Sequence, residues 1–409
     1  MAPNISEIAV AARLEEFFGG VGSLLKDRRK RESFAMYALG ILGDGERKSV
    51  EPIAARACPD PSQVNNVHSK LVYFLAESKW DDRAVRLHAA RYALDVLQRR
   101  GPVTAWIIDD TGFLKQGTHS VGVQRQYTGS AGKVTNCQLG VSLCAATEHD
   151  HVPLDFELYL PEQWLEDRQR RVEAHIPDDA IFQTKTELAL GMMERAVQAG
   201  LPGKVVLADS AYGDSTTFRN TVRYLWNKDF AVGVGPNLKV VRLDCHNRPA
   251  GKGVAVGDLS AGLTRKGFRK YTWRNGTRAP MSSNFHFLRV KTTHDDGIEM
   301  QDRDPLWLLI EWPDGEPRPT KYALTTLPTS MSKKEIIRLL KERWRTERMY
   351  QDLKGELGLD HFEGRSFPGW HHHVSVVMCC YAFTVAERSR SFPPSSRRPH
   401  CPRSFAVAA

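Results

Sequence analysis

Two short apolar runs that each end in aspartate constrain the fold most: VTAWIIDD, closing at Asp109 and Asp110, and KVVLADS, closing at Asp209. An unbroken apolar run of this length, bounded by turn residues, predicts a strand buried on both faces. Such strands need helices on both sides of their sheet. VTNCQLGVSLCAA and VPLDFELYL add two strands to the first, joined by the turn residues of TEHDH. TKTELALGMMERAVQAG predicts a helix closed by Gly200, and FRNTVRYLWN a second helix leading into the strand FAVGVG.

Residues 1–100 carry a different pattern. Apolar positions recur at helical spacing in ISEIAVAARLEEFFGGVGSLL and RAVRLHAARYALDVLQ, with the basic run KDRRKR and the break ACPDPSQ between them. A helical, basic, DNA-binding N-terminal domain is expected there; SVEPIAARACPDPSQVNNVHSKL reads either as a helix-turn-helix or as ordinary solvated helices. From 236 to 324, LKVVRL, RKYTWR, FHFLRVKTT, LWLLIEW and TKYALTT alternate with Gly, Asn and Pro-Asp-Gly turns, which predicts an inserted antiparallel β unit. Helical periodicity returns over 325–390, where Ser332 and Glu335 are spaced as a capping box. The stretch 391–409 is rich in Pro, Ser and Arg and is expected to be disordered. Three strands in meander, then helix, strand, helix, strand, suggest an α/β, ribonuclease-H-like mixed sheet over 101–235 that 325–390 completes.

The charge balance narrows the partner. The chain holds 57 Lys and Arg against 48 Asp and Glu, a formal net charge of +9, which suits a polyanion. Seven cysteines without CxxC spacing signal neither zinc nor a disulfide framework, so a reducing cytoplasm is the expected compartment. No apolar run approaches the ~18 residues that span a bilayer, and a soluble intracellular protein is expected. The glycines of AVGVGP lack a following helix and no GxxxxGK[ST] occurs, so no nucleotide cofactor is implied.

Taken singly, each strand-end aspartate reads first as a turn residue or helix cap. Together they repel, unless a cation lies between them. Mg²⁺ is a hard ion that takes one or two protein carboxylates, and a third acid would allow two metals for an in-line phosphoryl displacement. RWRTERMYQDLKGE offers three acids, Glu347, Asp352 and Glu356, on what reads as one continuous helix. At about 100° per residue, with Glu347 at zero, Arg343 lies near −40°, Lys354 near −20°, Leu340 near +20° and Ile336 near −20°. Glu347 is therefore expected to continue the apolar stripe, with Glu342, Asp352 and Glu356 on the far side making i,i+4 pairs. A core-facing stripe that ends in charges points to a site.

With these residues, the chain resembles the DDE-type transposases of bacterial insertion sequences. Their signature is Tyr-x2-Arg-x3-Glu-x6-Lys. Arg343, Glu347 and Lys354 match its spacing, and Leu340 stands where the signature has Tyr. DDTGFLKQGTHSVGVQRQYTG, NCQLGVSL, VVLADSAYGD and ELGLDHFEGRSFPGWHHH are similar to segments of the insertion-sequence-701 subgroup. The resemblance implies a ribonuclease-H-like core broken by a β-rich insertion, with a catalytic triad of Asp109, Asp209 and Glu347 and Asp110 as the alternative to Asp109. That triad would hold two Mg²⁺ ions, with Mn²⁺ able to substitute. Water would attack a phosphodiester at the transposon end, and the freed 3′-hydroxyl would attack target DNA. Arg343 and Lys354 would hold backbone phosphate. The implied partners are transposon-end DNA and target DNA, met by a homodimer in the bacterial cytoplasm. Two other readings keep the same residues: a remnant that only binds DNA, and a structure-selective nuclease.

Two further features remain. His371, His372 and His373 are consecutive, so on a helix they point about 100° apart and do not share one ion. Trp273, between Lys270 and Arg274, is the candidate for stacking a flipped base, although a packing role is the commoner one for such a residue.

Overall fold

The computed structural model describes residues 5–277, 279–294 and 301–391. Apart from Ser391, the tail expected from 391 onward lies outside the described residues. The chain opens with five helices, α1 (Ile5–Leu25), α2 (Arg28–Leu42), α3 (Val50–Ala57), α4 (Val64–Ala76) and α5 (Asp82–Leu97). Carboxylate caps start two of them: Asp27 accepts from Lys30 N for α2, and Asp81 from Ala84 N for α5.

Strands β1 (Ala105–Leu114), β2 (Gln124–Thr128), β3 (Lys133–Ala146) and β4 (His151–Tyr159) follow as an antiparallel group. Helices α6 (Glu162–Glu166), α7 (Arg168–Glu173) and α8 (Lys185–Gln198) lead to β5 (Val205–Ala208). Two short helices, α9 (Ser210–Gly213) and α10 (Thr216–Asn220), lead to β6 (Asp229–Val234). Both β5 and β6 run parallel to β1, so the order across the sheet is β4-β3-β1-β5-β6. In β1 the acids sit mid-strand and not at its end, because antiparallel pairing with β3 continues from Ala105↔Ala146 to Leu114↔Cys137.

The segment after β6 forms β7 (Lys239–Arg242), β8 (Val254–Ala255), α11 (Val256–Ala261), β9 (Arg269–Asn275), β10 (Pro280–Thr292), β11 (Leu306–Trp312) and β12 (Lys321–Thr325). These strands prolong the same sheet. β12 pairs antiparallel with β6, and β11, β10 and β7 follow outward. The β6 edge, whose backbone groups would otherwise need water, is thereby paired.

Three helices close the fold: α12 (Lys333–Leu340), α13 (Trp344–Gly355) and α14 (Phe367–Ser391). The Ser332–Glu335 capping box is formed at the start of α12. α14 is buried nearly all round, from Trp370 to Ala386, as expected of a helix apolar on every side. It packs on β4 and on α2, α4 and α5, so the N-terminal helices and the sheet share one core. No described helix is long and apolar enough to cross a membrane.

One expectation needs correction. The acid-bearing helix is not continuous: a 3-10 turn, Lys341–Arg343, separates α12 from α13. A 3-10 turn rotates about 20° per residue more than an α-helix, roughly 60° over three residues. The buried stripe of α13 becomes Thr346, Met349, Tyr350 and Leu353, and Glu347 turns to an exposed flank.

Candidate active site

Parallel pairing puts Trp106 beside Val206 and Ile107 beside Leu207, so two residues further on Asp109 and Asp209 come level on adjacent strands. Asp209 ends β5 and caps α9, accepting from Ala211 N at 2.9 Å. α9 lies hard against β6: a Cβ on Gly213 would stand 1.9 Å from Gly233 O. Two glycines thus set the depth of the turn that presents Asp209.

Arg343 joins the two acids. Its Nη2 is 3.6 Å from Asp109 Oδ2 and 3.8 Å from Asp209 Oδ2. Its buried Nε has no hydrogen-bond partner among the described residues. Burial pushes the Asp109 carboxyl up to about 7; Arg343 opposes this, and the charges of Asp209 and Asp110 add to it. Asp110 lies on the other face of β1, where Lys185 holds it at 2.8 Å. Asp109, not Asp110, shares the guanidinium with Asp209.

α13 is fastened over this face of β1. Tyr350 and Ser142 share a buried hydrogen bond of 2.6 Å, and Ser142 is the register partner of Asp109. Lys354 Nζ donates to Thr111 Oγ1 at 2.9 Å and Gly112 O at 2.6 Å. Glu347 lies one helical turn beyond Arg343, exposed, with no hydrogen bond or ion pair among the described residues. The structure therefore brings Asp109, Asp209, Arg343 and Lys354 to one face of β1 and α13, and leaves Glu347 at the lip. Among the described residues no three His, Cys, Asp or Glu side chains converge to hold a metal ion. Of the other acids, Glu342 pairs with Arg345 and Asp352 with Arg348, while Glu356 is exposed.

The Asp109–Asp209 pair suits a hard divalent cation. It is a repelling carboxylate pair, one member half-buried, and a guanidinium already bridges it.

Trp273 is half-buried, with Lys341 Nζ 4.9 Å from its ring centroid and Phe285 edge-on at 6.1 Å. It packs β9 against α12 and the 3-10 turn. Next to it, Arg274 stacks on Trp344 at 3.9 Å, at the first residue of α13. The three histidines brace α14. His371 Nε2 is 3.2 Å from Glu157 Oε2, and His372 Nδ1 is 2.7 Å from Leu75 O. His373 Nδ1 is 2.9 Å from Tyr37 Oη. Sequence reasoning missed Tyr350, Ser142 and Lys185. Tyr350 had a local signal, seven residues after Arg343 and so on the same helix flank; the others depend on distant partners.

A family model described as DDE superfamily endonuclease matches residues 17–280, and one described as transposase DDE domain matches residues 183–383. The chain is 25% identical over 381 residues to the probable transposase for insertion sequence element IS701 of Microchaete diplosiphon. That alignment spans 93% of this chain and 89% of the relative. With Asp109 and Asp209 paired on adjacent strands and the endonuclease match spanning more than half its length, the chain belongs to the DDE superfamily endonucleases.

Proposed function

We propose that this chain carries out DNA transposition through Asp109, Asp209 and Glu347, cutting the transposon end and joining its freed 3′-hydroxyl to target DNA. The observation that carries this reading is the Asp109–Asp209 pair, level on adjacent parallel strands and bridged by Arg343, from the 3-10 turn that leads into the helix bearing Glu347. Asp109 and Asp209 would hold Mg²⁺, with Glu347 completing the set for two ions. When bound, the ions supply charge neutralisation at the phosphate and a more acidic water.

The chain's own groups do the rest. Arg343 keeps the two aspartates together and would offer a guanidinium charge to the scissile phosphate. Lys354 clamps α13 onto β1 and so fixes the height of Glu347. The strand order β4-β3-β1-β5-β6, three antiparallel then two parallel to β1, supports a ribonuclease-H-like core in which β7–β12 extend one edge. For end recognition we assign the outer face of α4: Asn65, Asn66, Ser69, Lys70 and Tyr73 are exposed there, residue types that read base edges and phosphates. The nearby start of α2 supplies Arg28, Arg29 and Arg31, also exposed. Joining two ends calls for two copies of the chain.

The test is cleavage and strand transfer on DNA carrying the element's own ends, with Mg²⁺ or Mn²⁺. Glu347→Gln is expected to abolish both steps and to leave DNA binding intact, while Glu356→Gln retains them. Full activity of Glu347→Gln, or equal loss from Glu356→Gln, would sink the assignment. The exposure of Glu347 favours one second reading, a DNA-binding remnant. Binding of end DNA without any cleavage by the unsubstituted chain would establish it.

A further inference from the structure

From Thr111 to Thr147 the chain has no Asp or Glu, although it holds 48 of them among 409 residues. This acid-free stretch runs from β1 through β2 into β3, and the hairpin of β2 and β3 carries Arg125 and Lys133. Both are exposed, and neither makes a side-chain hydrogen bond or ion pair among the described residues. Two free cations on a hairpin without acids suit a polyanion.

The tip of the hairpin is seated against the site. Ser130 Oγ donates to Gly112 O at 3.3 Å, and Lys354 Nζ donates to the same carbonyl at 2.6 Å. Thr128 lies over Gly112, where a Cβ would stand 2.1 Å from its hydroxyl oxygen, so the bare glycine is what lets the tip rest on β1. Register decides what faces outward. Ser142 and Gly140 of β3 oppose Asp109 and Thr111; Asn136 and Val134, in the same alternation along β3, oppose Arg125 and Tyr127. Alternate residues of a strand share a face, so Arg125 and Tyr127 lie on the face of the sheet that carries Asp109. Tyr127 is 63% exposed and its cross-strand neighbour Val134 54%. An aromatic ring held in water beside free cations is a stacking platform for a base, and a base outside a duplex has its π-face open to it.

We propose that the β2–β3 hairpin binds unpaired DNA, with Tyr127 stacking on a base beside Val134 and with Arg125 and Lys133 holding the flanking phosphates. The strand leaving the scissile phosphate then runs out over the hairpin. That path rests on the reading of Asp109 and Asp209 as the reacting pair, whereas the binding of unpaired DNA does not. β2 is also the edge of the sheet, where a second copy of the chain could add a strand. Charge favours DNA, because edge-to-edge pairing of two copies would bring Arg125 and Lys133 against their own kind.

The test uses the full chain with two fluorescein-labelled probes followed by anisotropy, an oligothymidine of about 15 nucleotides and a duplex of the same length. Tyr127→Ala is expected to weaken oligothymidine binding about tenfold and to change duplex binding less than about twofold. Tyr127→Phe keeps the ring and should bind oligothymidine as the unsubstituted chain does. Replacing Arg125 and Lys133 together by Gln should lower the slope of log affinity against log salt by about 1.4, the share of two phosphate contacts to a single strand. Thermal midpoints should stay with that of the unsubstituted chain, since all three side chains are exposed.

Unchanged oligothymidine binding in Tyr127→Ala, an equal loss on the duplex, or an unchanged salt slope in the Arg125 and Lys133 double variant would each overturn the assignment. A dimer in sedimentation velocity that Tyr127→Ala dissolves while DNA binding stays intact would overturn it in favour of a second copy. The reacting pair is judged separately: if Asp109→Asn cuts end DNA as the unsubstituted chain does, that reading fails, and the anisotropy results still decide the hairpin.

Discussion

At the scale of residues, the site depends on backbone approaches as much as on its acids. Gly213 and Gly233 let α9 lie against β6 with no side chain between them, and the would-be Cβ of Gly213 also meets Val232 at 3.0 Å. Gly213→Ala should destabilise the chain by about 3 kcal/mol, the upper range for overpacking, because the obstacle is backbone and cannot swing aside. Urea denaturation checks this against Gly117→Ala, where a Cβ would meet nothing within 4 Å. Asp109 and Asp110 make the same point about legibility. Adjacent in sequence and identical in type, they face opposite sides of β1. The choice between them is made by Arg343 and Lys185, which approach from different helices.

At the scale of elements, α14 is braced by groups that titrate. Burial depresses His372 and His373 to about 4 each, from an ordinary 6.5. The unfolded chain therefore takes up protons first, and stability present at pH 7 is lost as pH falls from about 6.5 toward 4. Each contributes a loss of roughly 2 kcal/mol between pH 7 and pH 5. Asp109, raised to about 7, acts with the opposite sign over the same window, since its contribution is lost as pH rises. The histidine effect is isolated by comparison: His373→Asn should lose about 2 kcal/mol less than the unsubstituted chain between pH 7 and pH 5 in urea melts. Equal slopes for the two proteins would refute a buried neutral His373. The acid-bearing helix shows what a periodicity cannot hold. The capping box at Ser332 is local and readable, whereas the 3-10 turn at Lys341–Arg343 arises where Lys341 meets Glu311 at 2.6 Å and Trp273. Those partners lie at least 30 residues away, and no window along the helix contains them.

At the scale of the whole molecule, α14 lies between the N-terminal helices and the sheet, with Arg86 of α5 bonded to both Ser375 of α14 and Asp155 of β4. Removing residues 1–100 would bare one side of α14 and leave Asp155 and Glu157 without Arg86. Exposing that much apolar surface and breaking a buried ion network are both strongly destabilising. The shortened chain should lose near-ultraviolet circular dichroism and bind hydrophobic dyes. If it melts cooperatively near the midpoint of the full chain, the shared core is refuted.

The order of elements, the strands that carry Asp109 and Asp209, the capping box and the basic character of the first 100 residues were determined by the sequence alone, because each rests on neighbours within a dozen positions. So was the spacing of Arg343, Glu347 and Lys354. Only the tertiary structure decided that Asp109 and not Asp110 meets Asp209, that β12 seals the edge of β6, and that Glu347 stands at the lip of the site. Each of these depends on which surfaces meet across 30 or more residues of chain, where burial and charge pairing outweigh any local preference.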